Sequence, residues 1–543
     1  MGSRPTVASL AGGAFRVAPL PSPGAGEGPG VRVTTNMKKS ILLTTLLLAG
    51  LSGCNDYLDI NKNPSTPQVA SSQVVLPPMF AQMARGEQFD SRYAGSFIQN
   101  WASTAANNVW DRHGYAASSD AGAEKWRSHY FGNGKNLFLI MDDANATGRP
   151  TYAGIAKAIW AWSLQSTTDW HGDMIVRQAF EFGRSSFEFD PQEVAYAETV
   201  KWANEAIADL AKDDAATPGT AARADLVYGG DRARWTRFAN GVLARNANHL
   251  SNKAAYKPDD VIAFVDKALA SNADNFLVPH QGSNTDDANF FGPLRNNLGG
   301  FRPTVFAVNL LNGTTLGAPD PRLALLFTPS ADGQFRGIAP GQGDPNTVAT
   351  SPTFNPTLWG GNTVALSGTG RGQFRDNAPY PIMTYAEMQF IKAEAAFRKG
   401  DRALARTAYL NGINASFDLL NSLETDASKR VTAAQRATYL TSRAVAQTPA
   451  EMTLSNIMLQ KYIAMYGHGM LETWVDLRRF QYSPDVYTGF AIPASLFPDN
   501  SNKPAQRVRP RFNSEYMWNA ASLARIGADK PDYHTVPMWF SQP

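Results

Sequence analysis

The feature that most narrows the fold lies between Met383 and Leu420. Met383, Ala386, Phe390, Ala393 and Phe397 recur at spacings of 3, 4, 3 and 4 residues, the period of one apolar stripe along an α-helix. Gly400 follows, suited to the left-handed residue that ends a helix, and Asp401 can cap the next one. Ala405 and Tyr409 lead a second stripe. A helix, a tight turn and a second helix cannot bury both faces alone, so the unit predicts stacking against further helices.

The 543-residue chain supplies such neighbours. Thr151–Thr167 carries Ile155, Ile159 and Trp162 at helical spacing. Asp190-Pro191-Gln192-Glu193 reads as a capping box opening a helix with Val194, Ala197, Ile207 and Leu210 on its apolar face. Asp231–Leu250 carries Trp235, Phe238, Val242 and Leu243, and Pro258–Ala270 carries Val261, Phe264, Val265 and Leu269. A further helical pair spans Glu451–Phe480, broken at Gly467-His468-Gly469. Two stretches, 86–125 and 281–379, are rich in Gly, Asn, Pro and aromatics and lack a sustained period. They read as irregular excursions over the scaffold, and loops of that length are usually functional. Short strands are expected near Phe335–Ile338 and Val364–Phe374.

The N-terminal region reads as address rather than fold. Residues 37–54, MKKSILLTTLLLAGLSGC, contain a charged start, an eleven-residue apolar run from Ile41 to Leu51 and small residues before Cys54. That run is too short to span a bilayer. The pattern resembles a bacterial lipoprotein signal, cut before the cysteine, and Cys54 is the chain's one cysteine. Residues 1–36, with no apolar period, then read as a leader ahead of the natural start at Met37. Residues 37–53 are the expected signal peptide, and 54–70 a polar lipid tether and strap. Removing the five basic and one acidic side chains of residues 1–53 turns the formal net charge from +3 to −1. A basic face for nucleic acid is not expected.

Chemistry is hard to find. The sequence has no P-loop, no G-x-S-x-G and no H-E-x-x-H. A single cysteine excludes a disulfide framework and a cysteine-based zinc site. Gly368–Gly372 does not open a helix after a strand, and Asp169-Trp170-His171-Gly172-Asp173 follows a helix with a Gly in the turn, which favours a structural bend over an acid–base or metal cluster. No catalytic residue, cofactor or metal is expected. The excursions are more suggestive. Trp101, Asn107, Asn108, Trp110, Arg112 and Tyr115 lie in the first, and Phe291, Arg295, Asn296, Asn297 and Trp359 in the second. Sugar rings pack their C–H faces on aromatic rings while their hydroxyls need amide and guanidinium partners. These eleven residues are therefore the candidate ligand contacts. The competing reading is that the loop rings plug irregular packing; Trp126 and Tyr130, at helical spacing with Leu137 beyond them, are expected in the core.

A resemblance gathers these features. Gly400 and its flanking stripes are similar to a tetratricopeptide repeat. Asn55–Asn61 after Cys54, Trp170-His171-Gly172-Asp173-Met174, Arg234–Asn240, Met383–Glu387 through Ala393–Ala395, Trp474–Arg479 and Pro510–Asn519, in that order behind a lipoprotein signal, resemble the SusD/RagB family. The resemblance implies a mainly α fold: a tetratricopeptide-like scaffold with long irregular loops and few short strands, in one domain over 71–543. It also implies a lipid-anchored, surface-exposed outer-membrane protein acting as a lid over a SusC-like, TonB-dependent β-barrel. Such a lid captures oligosaccharide or, in the RagB branch, peptide. A surface glycosidase and a scaffold that binds only proteins are the alternatives from other classes. The family's ligand residues form no local motif, so the eleven candidates rest on loop chemistry alone.

Overall fold

The computed structural model describes residues 70–214, 218–361 and 370–543; the expected leader, signal peptide, Cys54 and tether lie outside them. Ten longer helices carry the architecture: α1 (Ser72–Phe97), α2 (Lys135–Ala146), α3 (Pro150–His171), α4 (Gln192–Leu210), α5 (Arg232–His249), α6 (Pro258–Lys267), α7 (Tyr385–Lys399), α8 (Arg402–Leu423), α9 (Leu454–Met465) and α10 (Met470–Arg479). Shorter helical segments join them. The described strands are few and short: β1 (Trp101–Ser103), β2 (Phe276–Val278), β3 (Phe301–Pro303) and β4 (Tyr380–Met383). Residues 70–543 form one compact unit. The fold is the expected mainly α scaffold with irregular excursions.

Local sequence explains the helix ends. Thr384 caps α7 by accepting the N–H of Glu387, so Met383 belongs to β4 rather than to the helix stripe. Gly400 ends α7 at φ +90°, and the Asp401 carboxylate accepts the Leu404 N–H to start α8. Asp231 caps α5 through the N–H groups of Ala233 and Arg234. The capping box expected at Asp190 does not form. Asp190 Oδ2 instead accepts the N–H groups of Val176 and Arg177, and the Gln192 N–H turns to Asp173. The buried face of α4 is Ala195, Tyr196, Thr199, Ala203, Ala206 and Leu210, while Ala197 is exposed. Polar Thr199 and small alanines carry that face, which displaced the apolar reading.

Two further differences matter for the site. Residues 86–97 are not an excursion; they complete α1. Buried Glu87, Gln88, Asp90 and Ser91 sit where apolar residues would have marked the helix. Each of the first three has a partner: Glu87 pairs with Lys125 at 2.8 Å, Gln88 donates to Asn289, and the Asp90 carboxylate accepts the Glu124 and Lys125 N–H groups. The strands also fall elsewhere than expected. Ile338 forms only an isolated bridge with Thr304, Gly372–Phe374 is a single 3-10 turn, and 362–369 lie outside the described residues. At three or four residues, the real strands are too short to show a period of two.

The helices are joined by a seam of buried charge. Arg245 on α5 grips Glu387 on α7 through two bonds of 2.5 and 2.6 Å. Arg479 on α10 holds Glu394 on α7 through two bonds of 2.8 Å and Asp476 at 2.5 Å, and Lys461 on α9 reaches Asp476 at 2.7 Å. Burial pushes the Glu394 carboxyl up, but Arg479 and Arg398 more than offset it and hold it below the usual carboxylate range. Charges this deep are tolerated only when paired with good geometry. The Met383–Ala395 and Trp474–Arg479 motifs thus carry the scaffold's ionic joints.

Candidate functional site

The two excursions are stitched together. β1 pairs antiparallel with β3, Trp101 opposite Pro303 and Ser103 opposite Phe301. The Asp344 N–H bonds to the Thr104 carbonyl, and the Asn107 N–H to that of Gly341. Asp111 ties the knot, its Oδ2 accepting the N–H groups of Ser103 at 2.9 Å and Gly341 at 3.2 Å. Burial pushes the Asp111 carboxyl up to about 6 against these hydrogen bonds.

This stitching decides what the candidate residues do. Trp101 is fully buried: its Nε1 donates to the Arg92 carbonyl, and a Cβ on Gly95 would lie 2.3 Å from its ring. Phe291 is buried edge-on against Trp101, and Trp359 is buried with its Nε1 donating to the Phe291 carbonyl. Trp110 is 7% exposed, because Tyr93 stacks on it at 4.4 Å. The ring faces of these four are occupied by packing, so the plug reading describes their present contacts. Asn108 caps its own turn through the Trp110 and Asp111 N–H groups, and Arg112 is bound to Ser495 and the Leu496 carbonyl. Tyr115 lies between Phe497 and His534, with Arg509 over its ring. Asn107 and Asn296 are exposed at φ +58° and +52°, as short polar side chains allow.

An open aromatic and polar cluster does form beside them, on residues the sequence reading had not selected. Phe89 and Tyr93 are one turn apart at the end of α1, both half-buried. The Arg92 guanidinium lies 4.2 Å from the Phe89 ring centre, 4.6 Å from that of Tyr93 and 5.6 Å from that of Phe290. Arg92 Nη1 donates to Asn297 Oδ1 at 3.4 Å. Asn297 Nδ2 donates to the Phe290 carbonyl, and Arg295 lies over the other reach of Phe290 at 5.2 Å while donating to Thr285. The cluster therefore unites Arg295 and Asn297 from the second excursion with Phe89, Arg92 and Tyr93 from α1, and Trp110 backs the Tyr93 ring. The signal in the sequence was the i, i+4 pair Phe89/Tyr93, hidden by the polar residues between them. Chemically, the cluster offers the partly exposed edges of Phe89 and Tyr93 beside guanidinium and amide donors, since Trp110 and Arg92 cover the Tyr93 ring and Phe290 is buried, and its members include no nucleophile–base pair.

Among the described residues one group has the composition of a metal site: Asp169, His249 and Glu472, all buried, with donor atoms within 4.8 Å of one another. The geometry favours a charged imidazole. His249 Nδ1 is 3.2 Å from Asp169 and Nε2 is 2.9 Å from Glu472, so both ring nitrogens face carboxylates. Tyr196 Oη donates to the other Asp169 oxygen at 2.5 Å. Burial pushes His249 down, but Glu472 and Asp169 outweigh it and raise the group to about 9. This is another joint of the helical seam, linking α3, α5 and α10; Asp169, Trp170 and His171 are the last turn of α3 rather than a bend that follows it, and the chain turns at Gly172.

Comparison with known proteins agrees with the fold. A SusD/RagB family protein from Bacteroides thetaiotaomicron superposes with a TM-score of 0.65 at 24% identity, covering 87% of this chain and 99% of that one. A Bacteroidetes SusD-like protein gives 0.68 at 21% identity, covering 87% and 100%. A chitin-binding protein gives 0.63 at 21% identity, covering 86% and 99%. No curated sequence matches. At these identities the structures establish the shared fold. Among the described residues no helix is long and apolar enough to cross a membrane. Residues 63–496 match the profile of a SusD-like family described as starch-binding and associating with the outer membrane, and the chain belongs to that family.

Proposed function

We propose that the protein is a cell-surface glycan-capturing lipoprotein that binds oligosaccharide without cleaving it and passes it to a SusC-like TonB-dependent barrel. The observation that carries the reading is the Phe89–Arg92–Tyr93–Asn297 cluster, held by the stitched excursions on a SusD-like scaffold. The partly exposed Phe89 and Tyr93 rings meet the C–H side of a pyranose ring, and the guanidinium and amide groups take its hydroxyls. The family description and the chitin-binding neighbour support a carbohydrate over a peptide. Acylation at Cys54 together with contact to the barrel supplies the two signals that stable anchoring requires. Closure over the barrel needs only that ligand bind the closed arrangement better than the open one. Retention on a panel of immobilised polysaccharides tests the reading. The protein is retained on at least one of them, releases no reducing ends, and is retained more weakly after Tyr93→Ala while remaining folded. Cleavage of the retained glycan would make it a glycosidase, and retention untouched by Tyr93→Ala would remove the cluster from the site.

A further inference from the structure

A second region gathers unusual features that the cluster above does not use. A groove of about 530 Å³ is floored by Trp126 and walled by Tyr130, Phe131, Phe180 and Phe187. Its size lies within the range of small-ligand pockets, which pair a mostly apolar lining with a few placed polar groups. The polar groups collect at Arg127, Arg511, Ser514 and Glu515. It shares no lining residue with the Phe89–Arg92–Tyr93 cluster.

Three structural irregularities meet here. Ser128–Gly134 and Phe512–Tyr516 are both π-helical, and each lends residues to the groove: Tyr130 and Phe131 from the first, Ser514 and Glu515 from the second. Such widened turns are frequent at functional sites. Phe180 stands at φ +67°, a conformation unusual for a bulky residue. It packs so closely on the first π-helix that a Cβ at Gly134 would lie 2.5 Å from its ring.

The rings are held in place yet open to a ligand. Tyr130 is anchored through its hydroxyl, which donates to the Ile175 carbonyl and accepts the Ile175 N–H. Glu515 accepts the Trp126 Nε1–H and fixes the floor. Phe131, next to Tyr130, is nevertheless 72% exposed, and Phe182 beyond Phe180 is fully exposed. Arg127 and Arg511 are oriented by Glu124 at 3.1 Å and Asp120 at 2.6 Å, and Ser514 Oγ has no partner. A second, more open lobe of about 630 Å³ continues the groove past the shared Tyr130, Phe131 and Phe180 to Val74 and Leu139.

We infer that this groove is a second saccharide-binding site, in which ring faces of a short oligosaccharide lie on Phe131 and Phe180 and its hydroxyls meet Arg127, Arg511 and Ser514. The inference rests on the glycan-binding reading and extends it to two sites per chain. The test is calorimetric titration of residues 70–543 with maltohexaose, cellohexaose, xylohexaose and chitohexaose, for the wild type, Phe131→Ala, Ala179→Trp and Tyr93→Ala. Phe131 is exposed, so its loss leaves folding intact, and Ala179→Trp fills the groove from its wall. The expected result is two equivalents bound per wild-type chain, with one site weakened at least five-fold by Phe131→Ala and abolished by Ala179→Trp. Tyr93→Ala weakens only the other site. A single equivalent, weakened in Tyr93→Ala and untouched by both groove variants, overturns the second site and leaves the first standing. Binding of an apolar peptide in the groove with no saccharide there overturns it too. Failure of every saccharide to bind the wild type would overturn both readings at once.

Discussion

The seam where the helices meet and the surface where the excursions meet draw on the same residue types for opposite ends. In the seam, Arg245, Arg479 and His249 are buried and each faces carboxylates on a different helix. At the surface, Arg92 lies over aromatic rings and donates to the Asn297 amide, and its neighbours Phe89 and Tyr93 are partly exposed. An arginine whose donors are matched by carboxylates fixes the scaffold. One whose faces and donors remain partly available can accept a ligand. The difference shows why charged motifs that identify the fold do not identify the candidate site.

The comparison can be broken by substitution, beginning with the largest effect. Arg479→Ala strands Glu394 and Asp476 in the interior, and chemical denaturation should show a loss of about 3–5 kcal/mol; a loss below 1 kcal/mol would deny the seam its role. Trp359→Ala should cost about 3–4 kcal/mol by the same measurement, since its ring is packing rather than platform; a fold of unchanged stability with weakened glycan retention would return it to the ligand site. The His249 joint sharpens the contrast through pH. Its folded value of about 9 lies above the unfolded value near 6.5, so its contribution is fully present below pH 6.5 and is lost as pH rises through 9. Unfolding between pH 6.5 and 9.5 should show a decline of up to about 3 kcal/mol in the wild type, which His249→Gln lacks. Asn107→Ala, exposed and free of the seam, should cost about 1 kcal/mol, because alanine tolerates φ +58° less well than asparagine.

Legibility in the sequence followed periodicity. The Met383–Phe397 stripe, Gly400 and Asp401 predicted α7, its turn and α8 because each position has one physical reason for its residue. The Trp235 and Val261 stripes did the same for α5 and α6. The last three turns of α1 escaped, since Glu87, Gln88 and Asp90 are buried by partners distant in sequence: Lys125, Asn289 and the Glu124 N–H. For the same reason the site was only half visible. Asn297 and Arg295 do join the open cluster, but Phe89, Arg92 and Tyr93 stood in a helix read as loop. Trp101, Trp110, Phe291 and Trp359 have the chemistry of a sugar platform, but their rings are buried. Exposure is a property of the pairing between excursions, and nothing local encodes it.

The central claim is capture without chemistry at the open cluster, and affinity electrophoresis through polysaccharide gels tests it most directly. The account predicts that one glycan retards the wild type, that Tyr93→Ala weakens the interaction by about five-fold, corresponding to roughly 1 kcal/mol for a stacked ring, and that no reducing ends appear. Equal retardation of wild type and Tyr93→Ala, or glycan shortened in the wild-type lane, would contradict it.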